Sequence, residues 1–492
     1  MIRSIANRSR VPPALVVALA LASAFAPSAA RANDFTLFGF GARAVAMGGA
    51  MTGHADDYTA TYYNPAGVAL RSGREFAIGL QYSDFHTSAS NPSPVPEGSV
   101  RNSDAFPIDD TLGAYGGMRF LIPFEDALKE RVGFGLGFYT GFPHLLNATV
   151  PESFVPQYVL LNGQTETVIT QPALGFKIMD GLAVGIGCVF FADVGGNLEI
   201  PTGIRGADGV DDAHTTIDQE IQPVVRATGG VIVDGRLVSD DLAGFSMGLT
   251  WRDAFSIPLQ IPVTVTLGPI PLNIDLSSSL LYTPAQVVIG FAHRSPDLTV
   301  AVDFSWNDWS GYQSPTLELA LDVTIPVVPI DLKDAFNADP HTKDTFMPRI
   351  GAEYRVWHDA ANDGWVRGGY AYEPTPFPEQ TALTTYLDGD RHLLSAGVGV
   401  TLRELPIFGA LTENSAVRLD AAIQYDLISS TTHRKERENP LFVEDGKPNA
   451  FPPLTDAQGR PIADPSYPSI TGEADVYTVM FTASTTFGEI GR

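Results

Sequence analysis

The sequence predicts an all-β protein: an antiparallel transmembrane β-barrel of about fourteen strands, with an N-terminal segment folded inside the lumen as a hatch. Three observations lead there. An export leader is followed by a compact, irregular Gly/Ala-rich stretch, residues 33–67. Beyond it lie many runs in which apolar and polar residues alternate strictly. Short and long connections between those runs alternate along the chain.

The leader comes first. Arg3, Arg8 and Arg10 form a positive start, Ala14 to Ala26 an apolar centre, and Ala30-Arg31-Ala32 a small-x-small cleavage site. This assigns residues 1–32 to a signal peptide cleaved near Ala32. Its apolar run is too short to span a bilayer as a helix, which needs roughly 20 residues. The chain has a formal net charge of −25, and the leader carries Arg but no acid, so the exported part is more acidic still. Such a chain would be repelled by phosphate, which excludes nucleic acid as a partner on charge grounds.

Composition points to lipid. Hydrophobic residues make up 44% and charged residues only 18% of the chain, and no stretch after the leader resembles a spanning helix. The 28 Phe and 16 Tyr suit a wall that faces lipid with aromatic girdles at its rims.

The irregular segment, assigned as a hatch over 33–73, closes on Asn64-Pro65-Ala66, a fixed turn before the first strand. The barrel then occupies 74–492. Expected strands are 74–86, 110–121, 132–142, 164–178, 182–195, 243–252, 256–267, 284–294, 298–309, 346–357, 364–373, 390–402, 415–429 and 474–487. In the last, Tyr477, Val479, Phe481, Ala483 and Phe487 share one face while Thr478, Thr482, Ser484 and Thr486 share the other. In 415–429, Val417, Leu419, Ala421, Ile423 and Tyr425 oppose Arg418, Asp420, Gln424 and Asp426. A soluble sheet would not line one face with so many charges; a polar lumen would. Cys188 is in phase with Leu182, Val184, Ile186 and Phe190, so it reads as lipid-facing filler. The seventh, 256–267, contains Pro258 and Pro262, which suit a spanning strand least.

The links 179–181, 253–255, 295–297 and 358–363 are short; 143–163, 196–242, 310–345 and 430–473 are long and taken as extracellular loops. An even strand count with this alternation returns the C-terminus to the periplasm. It places the protein in the outer membrane of a Gram-negative cell.

A set of short motifs occurs in order along the chain: Gly41-Ala42-Arg43-Ala44, Ala55-Asp56-Asp57 and Asn64-Pro65-Ala66, then Pro172-Ala173-Leu174-Gly175 and Pro284-Ala285-Gln286. They continue with Val302 to Ser310, Lys343-Asp344-Thr345, Gly351 to Arg355, Arg367 to Tyr372 with Pro374 and Pro376, and Asp390-Arg391-His392 with Ser395. In these the chain resembles the outer-membrane long-chain fatty-acid transporter family (FadL/TodX-like, OmpP1-type barrels), which includes toluene and xylene channels. The order and spacing span nearly the whole exported chain. One departure is the ending Gly-Glu-Ile-Gly-Arg after Phe487, where many such barrels stop on an aromatic.

The resemblance implies passive transport of hydrophobic compounds, most of all long-chain fatty acids, with a hatch that gates and release through a lateral opening. Partners would be fatty acids or alkyl aromatics, outer-membrane lipid and the barrel assembly machinery, and the barrel would be a monomer. Each buried CH₂ contributes roughly 0.8 kcal/mol, so an apolar pocket holds a long acyl chain well. Hatch and gating candidates are Phe35, Phe38, Phe40, Gly41, Arg43, Asp56, Asn64, Pro65 and Ala66. An apolar groove on the outer side would use Phe142, Leu145, Leu146, Phe154, Val155, Tyr158 and Val159. A carboxylate needs a cation, and the lumen-phase candidates are Arg349, Arg355, Arg367, Arg391 and Arg418. The opposing reading pairs these with lumen acids such as Glu353, Asp420 and Asp426.

No cofactor is expected and no metal. His54 with Asp56 and Asp57 is a weak motif, and the acidic stretch Asp208 to Asp212 with His214 leaves calcium open. An enzyme of the lipid-hydrolase type is the reading from another class. It lacks a Gly-x-Ser-x-Gly elbow, and His392 and Ser395, three apart on one strand, face opposite ways. A non-specific porin and an aromatic-hydrocarbon channel stay open as alternatives.

Overall fold

The computed structural model describes residues 38–90, 108, 110–142, 156–161, 168–192, 196–201, 214–219, 224–267, 270–312, 318–322, 340–359, 362–381, 384–403, 415–434, 443–444, 447–448 and 469–488. The assigned leader, Phe35, Leu145, Leu146, Phe154, Val155 and Asp208 to Asp212 lie outside the described residues.

Fourteen antiparallel strands close into a barrel. In chain order they are β1 (Arg74–Ser90), β2 (Thr111–Leu121), β3 (Val132–Phe142), β4 (Val168–Met179), β5 (Leu182–Ala192), β6 (Val224–Asp234) and β7 (Phe245–Arg252). There follow β8 (Ala285–Arg294), β9 (Leu298–Asp308), β10 (Thr345–His358), β11 (Asn362–Glu373), β12 (Arg391–Arg403), β13 (Ser415–Arg434) and β14 (Ser469–Phe487). The seam joins the first strand to the last, with Arg74 opposite Phe487 and Ser90 opposite Thr471. Closure leaves no open edge, which hydrocarbon would penalise.

Alternation sorts the wall as the sequence predicts. On β14, Thr478, Thr482 and Ser484 are buried inward while Tyr477 and Phe481 are exposed outward. On β13, Asp420, Gln424 and Asp426 are buried and Leu419, Ile423 and Leu427 exposed. Cys188 is half-buried, between exposed Ile186 and Phe190 on the outer face of β5.

The strand count agrees, but two assignments change places. The expected spanning strand 256–267 is outside the barrel: Phe255–Leu267 pairs with Ile270–Thr283, and that strand with Glu318–Asp322, in a separate three-stranded sheet. Its alternation is as clean as a spanning strand's, yet Pro258 and Pro262 remove backbone donors that a closed wall uses on both sides. The register shifts at Ile257/Pro258. The strand that replaces it, β6, lies inside the expected loop 196–242. Its apolar run is interrupted by Thr228-Gly229-Gly230, which masks the period. The short turn in this region is therefore 235–244, not 253–255, and the long connection is 253–284.

Residues 38–73 pack against the inner face. Helix Ala42–Ala46, helix Ala60–Tyr63 and the 3-10 turn Pro65–Ala69 are almost wholly buried. Small wall residues admit this segment: a Cβ at Gly351 would lie 2.1 Å from the Met47 carbonyl oxygen, and one at Gly230 2.1 Å from Asn64 Oδ1. Neither clash could be relieved without moving backbone or losing the Asn64 contacts described next.

Candidate functional site

Among the contacts that hold the inner segment to the wall, three use amide or carboxylate side chains. Asn64 accepts from the Ala66 amide at 3.2 Å and donates to the Thr52 carbonyl at 2.9 Å and the β6 carbonyl of Val231 at 3.0 Å. This side chain fixes the Asn-Pro-Ala turn and ties it to the barrel in one step. On β9, Asp303 Oδ2 accepts the amides of Met51 at 3.1 Å and Thr52 at 3.0 Å.

The third is a buried charge network. Arg43 donates to Asp56 at 2.9 Å and Asp57 at 3.0 Å, both on its own segment, and forks onto Glu353 of β10 at 3.0 and 3.1 Å. Glu353 also receives Arg367 of β11 at 2.6 Å and Arg418 of β13 at 3.2 Å. Asp420 takes Arg367 at 2.9 Å and Arg418 at 3.0 Å, and Asp56 takes Arg294 at 3.2 Å. Burial would push the Asp56 carboxyl up, but Arg294, Arg71 and Arg43 together hold it well below the usual carboxylate range. His54, beside this network, is fully buried; burial first, then Arg294 and Arg43, bring it down to about 3. It is therefore neutral, and no cluster of metal-ligating side chains occurs among the described residues.

Phe40 fills the space above the network, edge-on to Tyr58 at 5.4 Å and Tyr115 at 6.1 Å. Phe38 instead reaches a second apolar cluster with Phe85, Tyr158, Leu161 and Leu387. Gly41 has φ 88°, which suits glycine at the start of the Ala42–Ala46 helix.

Between the inner segment and the wall lies a cavity lined by Phe38, Gly49, Tyr63, Met347, Leu393, Gln286, Gln424, Arg252 and Arg349. The two arginines differ from those of the network. Arg349 Nη1 donates to Ser305 Oγ at 2.5 Å and Nη2 lies 2.9 Å from the Met347 sulfur. Arg252 donates to the Tyr62 carbonyl at 2.6 Å, lies 4.7 Å over the Tyr62 ring and bonds Gln286. Its Nε has no hydrogen-bond partner among the described residues. Among the described residues neither forms an ion pair with a carboxylate.

The five sequence-nominated arginines thus part company. Arg367 and Arg418 belong to the network, and Arg391 is paired with Asp426 at 2.6 Å and Glu373 at 2.7 Å. Arg355 pairs with Asp297 at 2.6 Å near the turn 295–297. Arg349 alone of the five faces the cavity with neutral partners. Arg252 was not nominated, although it follows outward-facing Trp251 at the end of a correctly placed strand, so its lumen phase was legible. Of the groove candidates, Phe142 is exposed at the end of β3, and Tyr158 is buried rather than presented to solvent.

Comparison with known proteins accords with this architecture. The family model for outer membrane protein transport proteins (OMPP1/FadL/TodX) matches residues 265–439. Alkane uptake protein A of Marinobacter nauticus is 22% identical over 84% of this chain and 87% of its own length. Among solved structures, a Pseudomonas aeruginosa FadL homologue superposes with a TM-score of 0.53 at 15% identity, covering 89% of this chain and 95% of that one. A deletion mutant of the TodX monoaromatic hydrocarbon channel gives 0.51 at 14% identity, covering 92% and 100%. The structural likenesses speak for the shared fold; with the family match over residues 265–439 they make this chain similar to the FadL/TodX outer-membrane transport proteins.

Proposed function

We propose that this protein carries hydrophobic molecules with an anionic head, long-chain fatty acids above all, passively across the outer membrane. The observation that carries the reading is the pair Arg252 and Arg349, whose hydrogen bonds go to neutral groups although Asp303 lies beside them, in a cavity that also presents Phe38, Met347 and Leu393. A carboxylate placed there would gain charge-assisted hydrogen bonds from cations whose present partners are neutral. Its acyl chain would leave water for apolar surface, at roughly 0.8 kcal/mol per CH₂. In this reading residues 33–73 act as the hatch, with Phe38 at its outer end and the Arg43 network as its anchor. Movement of the stretch before Gly41 would connect cavity and lumen, while Asn64-Pro65-Ala66 stays fixed.

A second reading, neutral hydrocarbons, is favoured by the relative that spans most of the chain, named as an alkane uptake protein. One assay separates the two. Uptake of a labelled long-chain fatty acid, a long alkane and an alkylbenzene is measured in cells with and without the protein, and with a variant lacking 33–45. Fatty-acid uptake that needs the intact protein supports the first reading. Uptake of alkane or alkylbenzene alone replaces it with the second. Passage of small polar solutes with none of the three would make the protein a porin.

A further inference from the structure

We propose that two extracellular segments, 156–161 and 384–390, form one lid that closes the outer end of the transport path, a second gate in series with the hatch. The inference rests on the transport reading above. It starts from a backbone pairing between segments far apart in sequence. The Gln157 amide donates to the Thr385 carbonyl at 3.0 Å, and the Leu387 amide donates to the Gln157 carbonyl at 2.8 Å. Gln157 and Tyr386 thus form an isolated parallel bridge outside the barrel wall.

Asp388 clips the same two segments together. Its two carboxylate oxygens accept the amides of Val159 at 2.8 Å and Leu160 at 2.7 Å. The joined segments are tied to the rim from both sides. Tyr158 donates its hydroxyl to the Ser88 carbonyl of β1 at 2.7 Å, and His433 of β13 bonds the Tyr386 carbonyl at 2.6 Å. Gly472 of β14 leaves room for them: a Cβ there would meet the Tyr158 hydroxyl at 2.7 Å and Leu387 Cβ at 2.8 Å.

What the lid covers gives it a role. Tyr158, Leu161 and Leu387 join Phe38 in one buried apolar cluster whose walls are Phe85, Ile428, Ile470 and Val476. Phe38 lines the arginine cavity as well, so the lid and the cavity touch the same side chain of the inner segment. A ligand entering from outside would displace lid residues before reaching Phe38.

The closed form also holds buried polar atoms without hydrogen-bond partners among the described residues: both amide ends of Gln157 and the Thr385 hydroxyl. Water would satisfy them once the segments part, and each unsatisfied group costs about 1–3 kcal/mol. The contact between the segments is therefore one that can open without unfolding the wall, as gating elements require.

The test locks the lid. In a background where Cys188, the chain's single cysteine, is Cys188→Ser, the pair Gln157→Cys and Tyr386→Cys is introduced at the parallel bridge. Disulfide formation is read by mass spectrometry, and uptake of the labelled compounds is measured before and after reduction. The expected result is uptake lost in the oxidised protein and restored by reductant, the reduced form serving as the folding control. Equal uptake by the oxidised and reduced forms would overturn the lid. Failure of the unaltered protein to take up any of the compounds would overturn the transport reading instead, and the lid with it.

Discussion

Two sets of arginines share this lumen, and they are treated oppositely. In the network around Arg43, cations and carboxylates are interleaved: Glu353 alone receives three guanidinium groups. In the cavity a short distance away, Arg252 and Arg349 are held by carbonyls, a hydroxyl, an amide and a thioether. Buried ions need compensation, and the network supplies it internally. The cavity pair is hydrogen-bonded by neutral groups, and Asp303, opposite Arg349 across β9 and β10, is an acid beside it with which neither forms an ion pair among the described residues. The contrast separates arginines that fasten the inner segment through carboxylates from arginines hydrogen-bonded to neutral groups, which the proposed function assigns to a ligand; lumen-phase position alone does not make that distinction.

The contrast breaks most sharply at Arg43. Arg43→Ala leaves Asp57 and part of Glu353 uncompensated and Asp56 with only Arg294 and Arg71, and breaking a buried ion pair costs about 3–5 kcal/mol. The expected result is a loosened inner segment in an intact barrel, seen as raised single-channel conductance in planar bilayers and faster proteolysis before residue 74. Unchanged conductance and protease resistance would show that the other ties, Asn64 and Asp303 among them, hold the segment without Arg43.

Arg349→Ala probes the other side. Loss of hydrogen bonds to a charged group costs about 1.5–3 kcal/mol, or roughly 10–100-fold in affinity. Fatty-acid binding by calorimetry should weaken by that range, while alkane binding and thermal stability hold. A parallel loss for both ligands would remove the carboxylate assignment.

The smallest effect concerns the lid. Burial pushes the Asp388 carboxyl up to about 7, against the Val159 and Leu160 amides and Arg391, which lower it. In an open lid the group returns toward the ordinary carboxylate range, about 3.9. Closure therefore takes up a proton, its stability being greatest at low pH and lost as pH rises through about 7. Uptake should rise between about pH 4 and pH 7, the window these values define, and flatten in Asp388→Asn.

Much of this was legible beforehand. Strict alternation on β13 and β14 gave both faces of the wall, because lipid and lumen impose opposite demands on successive residues. The 256–267 assignment failed because alternation reports a two-sided environment and cannot say which sheet provides it; β6 was hidden by its central glycines. At the site, residue type and phase nominated Arg349, yet Arg367 and Arg418 have the same phase. What distinguishes them is the company brought by other strands and by Arg43, and register across strands is not written in any one of them. Asp388 lay in an irregular stretch, where periodicity carries no information.

The seam has a consequence for the inner segment. The wall closes where β1 meets β14, along the whole register from Arg74↔Phe487 to Ser90↔Thr471. The inner segment immediately precedes β1, whereas β14 is the last strand to be synthesised. The inner segment therefore sits next to the strand at which the wall closes. Wall contacts near Asn64 and Met47 too close for a Cβ suit wrapping the sheet around the plug better than threading the plug through a finished pore. The order of the chain thus brings its first and last wall strands together beside the segment they enclose.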